Sequence, residues 1–237
     1  MPSWTTRRVL GWTAAALLLI ILWDASGLDL PFARLFGTAE GFPLRGNKAF
    51  VMAFHEIPRT VSSLVVVALI VGVFRPWLFL RRLARRDRVQ LVVSVLGAML
   101  LITLLKKMNT SSCPWDVNEF GGVASYVSHW ALGVRDMGPG HCFPAGHASS
   151  AFGFLAGWFV IRRTAPEMAT RWLAVTIALG LVLGLAQQLR GAHYMSHTLW
   201  TGFFCWTAGL LTEWACRAWV QRKPVSLATA SKEELQP

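Results

Sequence analysis

Charge is scarce in this sequence. Only 15% of its 237 residues are Asp, Glu, Lys or Arg, where a soluble globular chain carries about a quarter. The length alone would allow two soluble domains, and the charge deficit argues against them. Acids are scarcer than bases, 12 against 23. The four cysteines, Cys113, Cys142, Cys205 and Cys216, include no C-x-x-C pair, which speaks against a zinc ribbon or a thioredoxin-type centre. No H-E-x-x-H segment occurs, so the usual helical zinc-hydrolase signature is missing. Internal repeats and low-complexity stretches are absent too.

Apolar residues are abundant, at 54% of the chain, with a mean hydropathy of +0.45. They fall into six runs, at roughly 4–23, 60–80, 89–105, 147–161, 172–189 and 198–220. A helix needs about 20 such residues to cross a bilayer. The fourth run is short unless its Gly/Ala/Ser-rich start joins it. Fifteen of the 23 basic residues and five acids lie on one side of the alternating connections, and eight bases and seven acids on the other. The positive-inside rule then places both termini in the cytoplasm. The net charge of +11 is thereby explained by topology and anionic lipid rather than by nucleic acid. Arg7 and Arg8 ahead of the first run also fit a signal peptide, but no A-x-A site comes after it, so an uncleaved span is the reading.

The fold expected is an all-α integral membrane protein of about six transmembrane helices over residues 1–223. A polar, disordered cytoplasmic tail, 224–237, completes the chain. Trp115, Trp130 and Trp200 read as interfacial belt residues. On the outer side, residues 24–59 read as an interfacial or re-entrant stretch, 106–146 as the longest loop and 190–197 as a short one.

All six histidines, His55, His129, His141, His147, His193 and His197, fall on that outer side. Histidine titrates near neutral pH and serves proton transfer or nitrogen nucleophilicity. A single histidine is more often structural; six on one face point to a site. Three segments converge at one membrane depth: KKMNTSSCPWD from Lys106, HCFPAGHASS from His141 and RGAHYMSHTLW from Arg190. Lys106, Lys107 and Arg190 can hold a phosphate by charge-assisted hydrogen bonds, although anchoring at the headgroups is the plain alternative for each. Backbone N–H groups around Gly146 offer a further anion site.

These segments resemble the three-part signature of the type 2 phosphatidic acid phosphatase superfamily, K-x6-R-P, P-S-G-H and S-R-x5-H-x3-D. Here Lys106 is followed after six residues by Cys113-Pro114, Pro144-Ala145-Gly146-His147 matches the second part, and Gly191 to His197 resembles the third. The resemblance covers most of the chain. It implies a metal-independent lipid phosphatase in the bacterial inner membrane, with the site facing the periplasm, a lipid phosphate as substrate and no cofactor. His193 would attack phosphorus to form a phosphohistidine and His147 would protonate the leaving oxygen, with Lys106 and an arginine stabilising charge.

The departures are specific. Cys113 stands where the first arginine is expected, Gln187 where the third-motif arginine is expected, and His197 at the place of the acid that would orient His193. Arg190, Lys107 and Arg135 are candidate substitutes for charge, and Asp116, Glu119 and Asp136 for the acid. A second alignment, counting from Arg190, makes His197 the nucleophile. Cys113 and Cys142 flank the motifs on the oxidising side and suggest a disulfide between the first two; Cys205 and Cys216 read as packing residues. Phosphotransfer to a second lipid, a metal site on His193 and His197 with His141 or His147, and a non-catalytic lipid-binding or transport protein remain as alternatives.

Overall fold

The structure, a computed structural model, describes residues 6–222; the expected disordered tail lies outside the described residues. The chain is about 70% helical and has no strand among the described residues. Its helices are α1 (Thr6–Ser26), α2 (Asp29–Ala33), α3 (Lys48–Val51), α4 (Ile57–Phe74), α5 (Arg85–Met108), α6 (Ser149–Phe152), α7 (Gly157–Ile161), α8 (Pro166–Leu189) and α9 (Met195–Arg222). A π-helical turn, Met52–Glu56, joins α3 to α4, and a 3₁₀ turn, Gly153–Ala156, joins α6 to α7.

Four helices are long and apolar enough to cross a membrane: Thr6–Ser26, Lys48–Arg82, Arg85–Met108 and Pro166–Leu189. Their outer faces carry Leu18, Leu19, Leu64, Val67, Leu100 and Leu179 in the open. Water would penalise so much exposed apolar surface, whereas lipid is a matching solvent. The α9 helix is longer still, 28 residues, but Trp, Thr and Glu213 dilute its apolar character. The α6–α7 segment runs only from Ser149 to Ile161, about 21 Å at helical and 3₁₀ rises. It compensates by position: Trp158, Phe159, Val160 and Ile161 are all buried. Within its 3₁₀ turn the Phe154 carbonyl accepts a backbone N–H from the turn's end and also the Trp172 indole N–H of α8 (2.7 Å).

The second spanning helix begins twelve residues before the apolar run at 60–80. Asn47 caps it by accepting the Phe50 N–H (3.0 Å), an ordinary helix start. Polar Lys48, His55, Glu56 and Arg59 hide this first part from a hydropathy reading. Pro58 has no N–H, so the Phe54 carbonyl loses its partner one helical turn on. Gln187 Nε2 of α8 donates to that carbonyl instead (3.1 Å).

At the end of α9 remote from the histidines, Glu213 is 1% exposed. It accepts Gln90 Nε2 of α5 (2.9 Å) and Arg217 Nε (2.7 Å), and pairs with Arg163, which also holds Asp87 (2.6 Å). This network ties α5, α9 and the α7–α8 turn together. Glu213→Ala leaves Arg163, Arg217 and Arg162, which lies 3.7 Å from Glu213, without their shared acid; we expect a loss of about 3–5 kcal/mol, read as a lower thermal midpoint in detergent, with Glu213→Gln milder.

Candidate active site

Each of the three sequence segments begins or ends a helix, and hydrogen bonds sew them together. At the C-terminus of α5, Asn109 Oδ1 accepts the Ser111 N–H (3.1 Å), the Ser111 hydroxyl (2.7 Å) and the Phe143 N–H (3.2 Å). Cys142 N donates to Ser111 O (3.0 Å), and Ala145 N to His197 O (3.2 Å). The Thr201 hydroxyl donates to Ala145 O (3.1 Å). Cys113 and Cys142 form a disulfide across the first two segments, with sulfurs 2.10 Å apart. The sequence-predicted pocket residues Lys106, His147, His193 and Arg190 are thereby gathered at one end of the helices.

His147 and His193 face each other with ring centroids 5.8 Å apart. His193 is 1% exposed, and its Nδ1 lies 3.5 Å from Cys142 Sγ. A disulfide sulfur can only accept, and weakly. A proton on Nδ1 leaves the Nε2 lone pair for chemistry. Burial holds His193 well below its ordinary pKa, with Lys106 and His147 adding to it. Burial likewise pushes His147 down to about 3, helped by the charges of His55, Lys106, Arg190 and Arg59. Both imidazoles are therefore neutral before an anion binds. The His147 Nδ1 is buried without a partner. The Lys106 stem packs beside Gly146, whose missing side chain leaves its Cδ 3.6 Å from the Cβ position.

Arg190 is buried and well held. It donates to Gln187 Oε1 (3.0 Å) and Arg45 O (3.3 Å), and its guanidinium lies 5.8 Å from the Trp115 ring centre. Its Nε has no partner. Lys107 and Arg135 are exposed. His141 sits at the rim, its Nδ1 3.3 Å from Lys106 O.

His197 is also 1% exposed, but its neighbours differ. Its ring lies 5.3 Å from His129, 5.2 Å from Phe143, 5.3 Å from Tyr194 and 5.9 Å from His193. It stands behind His193, away from His147. The three acids offered by the sequence for orienting a histidine are engaged elsewhere. Asp116 accepts the Trp115 indole N–H (2.9 Å), Glu119 pairs with Arg34, and Asp136 accepts Ser112 Oγ (2.8 Å) and Gly138 N (3.0 Å). The close group of ligand-type atoms among the described residues is Cys113, Cys142 and His193. The sulfur–sulfur bond leaves no thiolate there to bind a metal.

Two acids that sequence reasoning passed over organise the site from below. Asp29 is buried and accepts the Ser196 N–H (3.0 Å), the Ser196 hydroxyl and the Trp23 indole N–H (2.8 Å). It acts as the N-terminal cap of α9. Asp24 Oδ2 accepts the indoles of Trp130 (2.8 Å) and Trp200 (2.7 Å) and lies 3.7 Å from His129 Nε2. These tryptophans thus hold the long loop to α1 and α9. A cue existed in the sequence: buried carboxylates need partners, and residues 24–29 sit next to an apolar run.

Gly191 occupies φ +72°, and a Cβ there would meet Phe42 Cδ2 at 2.3 Å. Its carbonyl accepts Trp115 N (2.9 Å). We expect Gly191→Ala to disturb the His193 loop and lower activity sharply, with Phe42→Ala in the same chain restoring part of it; activity and thermal midpoint of the three variants decide. The depressed histidines also set a pH dependence. Unfolded imidazoles bind protons below about pH 6.5, whereas buried His147 and His193 resist protonation until far lower. Stability is then fully present above about pH 6.5 and declines as pH falls. The thermal midpoint should drop between about pH 6.5 and 5, and His147→Gln with His193→Gln should flatten that decline.

A search of curated proteins and of solved structures finds no match. The family model described as the PAP2 superfamily matches residues 87–223. That stretch takes in α5 with Lys106, the disulfide-closed loop, His147, His193 and α9. More than half the chain is covered, and the chain belongs to the PAP2 superfamily, whose members act as phosphatases or phosphotransferases on phosphate esters.

Proposed function

We propose that the protein is a lipid phosphatase of the bacterial inner membrane. Its six crossings are α1, the helix from α3 to α4, α5, the α6–α7 segment, α8 and α9. Both termini are cytoplasmic, the histidines face the periplasm, and residues 1–223 form the enzyme unit. The observation that carries this reading is the His147–His193 pair, 5.8 Å apart, beside Lys106 and Arg190 in a family that works on phosphate esters.

The geometry supports a two-step reaction. His193 Nε2 attacks phosphorus, the bond to the lipid oxygen breaks, and His147 gives that oxygen a proton. In the second half, His147 takes a proton from water as the oxygen attacks phosphorus and the N–P bond breaks. Lys106 and Arg190 hold the phosphoryl oxygens, where charge builds up. Before substrate binds, their charge helps keep His147 neutral. An arriving phosphate offsets that charge, so His147 is loaded with its proton as substrate binds. His193 is favoured over His197 as nucleophile because only the former faces His147; His197 supports it from behind.

The test is phosphate release from a panel of lipid monophosphates and diphosphates by purified protein in detergent with EDTA. We expect wild type to release phosphate. His193→Ala and His147→Ala should each lose at least about 10³-fold in kcat, as for removal of a nucleophile or general acid. His197→Ala should retain more. Full activity in His193→Ala with none in His197→Ala would reverse the assignment. Label moving to a second lipid rather than to water would make the protein a phosphotransferase.

A further inference from the structure

The pocket is short of cations. The positions at which arginines are expected carry Cys113, locked in the disulfide, and Gln187, which has other work. Gln187 Nε2 donates to Phe54 O, and its Oε1 receives Arg190. It therefore joins two segments: the one bearing Arg190 and the π turn Met52–Glu56.

That turn has a physical cause. Pro58 removes the donor that would close a regular turn on Phe54 O, and the Ile57 N–H reaches back to Met52 O instead. One residue inserted into a turn rotates the helix before it by about 100° relative to the helix after it. Such insertions recur at functional sites. Here the residue brought inward is His55. Its ring lies 4.1 Å from the His147 ring, closer than His193 does. Glu56 Oε1 is 2.7 Å from His55 Nδ1, though poorly aimed for a hydrogen bond. Arg59, one turn further along, is near enough for its charge to act on His147.

We propose that His55 is an additional ligand of the substrate phosphate, presented by the π turn and flanked by the Arg59 cation, supplying a donor that positions 113 and 187 do not. The inference rests on the phosphate-site reading above, and it adds the α3–α4 helix to a site otherwise built between residues 106 and 197. Imidazole donates an N–H to a phosphoryl oxygen. Gln187 is then a positioning residue: it holds the turn so that His55 faces inward.

Orthovanadate binding to the full chain in detergent tests this without relying on turnover, alongside kcat and KM on whichever lipid phosphate wild type cleaves. His55→Ala should weaken vanadate binding about tenfold or more, the scale of one hydrogen bond to a charged group. It should raise KM more than it lowers kcat, the mark of binding shared by ground and transition states. His55→Arg should recover most of the affinity, since a guanidinium donates to phosphate equally well. Pro58→Ala, which leaves His55 in place but restores the missing N–H, should weaken binding as well. Wild-type affinity and KM in His55→Ala, while His193→Ala is inactive, would overturn this inference and leave the hydrolase reading intact. Wild type that cleaves no lipid yet binds vanadate through His55 would remove the hydrolase reading and leave this one. Equal losses in His55→Ala and His55→Arg with a lowered thermal midpoint would mark His55 as structural and overturn the proposal, as would wild type that binds no vanadate.

Discussion

The Asp29 carboxylate at the start of α9 carries more of the architecture than its position suggests. It satisfies two donors of Ser196, at the point where the His193 loop becomes helix. A carboxylate there complements the exposed N–H groups and the positive end of the helix. Without it the turn holding His193, Tyr194 and His197 would lose its anchor to α1 and α2. The His193 ring would no longer meet His147 at a set distance, because α9 also holds Ala145 through the carbonyl of His197 and the hydroxyl of Thr201. The far end of α9 is fixed by Glu213 among three arginines. One helix, pinned at both ends by buried acids, sets the frame for the chemistry.

Much of this was legible in the sequence for simple reasons. Apolar runs separated by basic turns announce membrane helices, and three polar segments between them at one depth announce a site. The pairing of Cys113 with Cys142 could be suggested from their places beside two motifs. What the pattern concealed was polar structure inside apolar context. The helix from Lys48 was hidden because His55, Glu56 and Arg59 interrupt its hydropathy, while its actual signals are a cap at Asn47 and a proline eleven residues later. Asp24 and Asp29 were hidden because their partners, Trp130, Trp200 and Ser196, lie more than a hundred residues away.

Gln187 shows the same limit from the other side. Against the motif it reads as an arginine that is missing. In three dimensions it receives one arginine and steadies the turn that carries a histidine and leads to another arginine. Asp116, Glu119 and Asp136 are the converse: they have the right charge in the right loop, but each is already engaged by an indole, an arginine or a serine. Residue type and spacing identify who is available, and only packing decides who is free.

The contact between Gly191 and Phe42 has a consequence for descent. With the glycine at φ +72° and the phenylalanine ring filling the place of its absent side chain, neither position drifts alone. Enlarging 191 demands a smaller ring at 42 and still strains the backbone; shrinking 42 opens a void beneath the histidine loop. Across related chains these two sites should therefore be inherited as a pair, a correlation between a loop outside the matched region and the heart of it. Such a pair would tie the segment that holds Phe42 to the loop that carries His193.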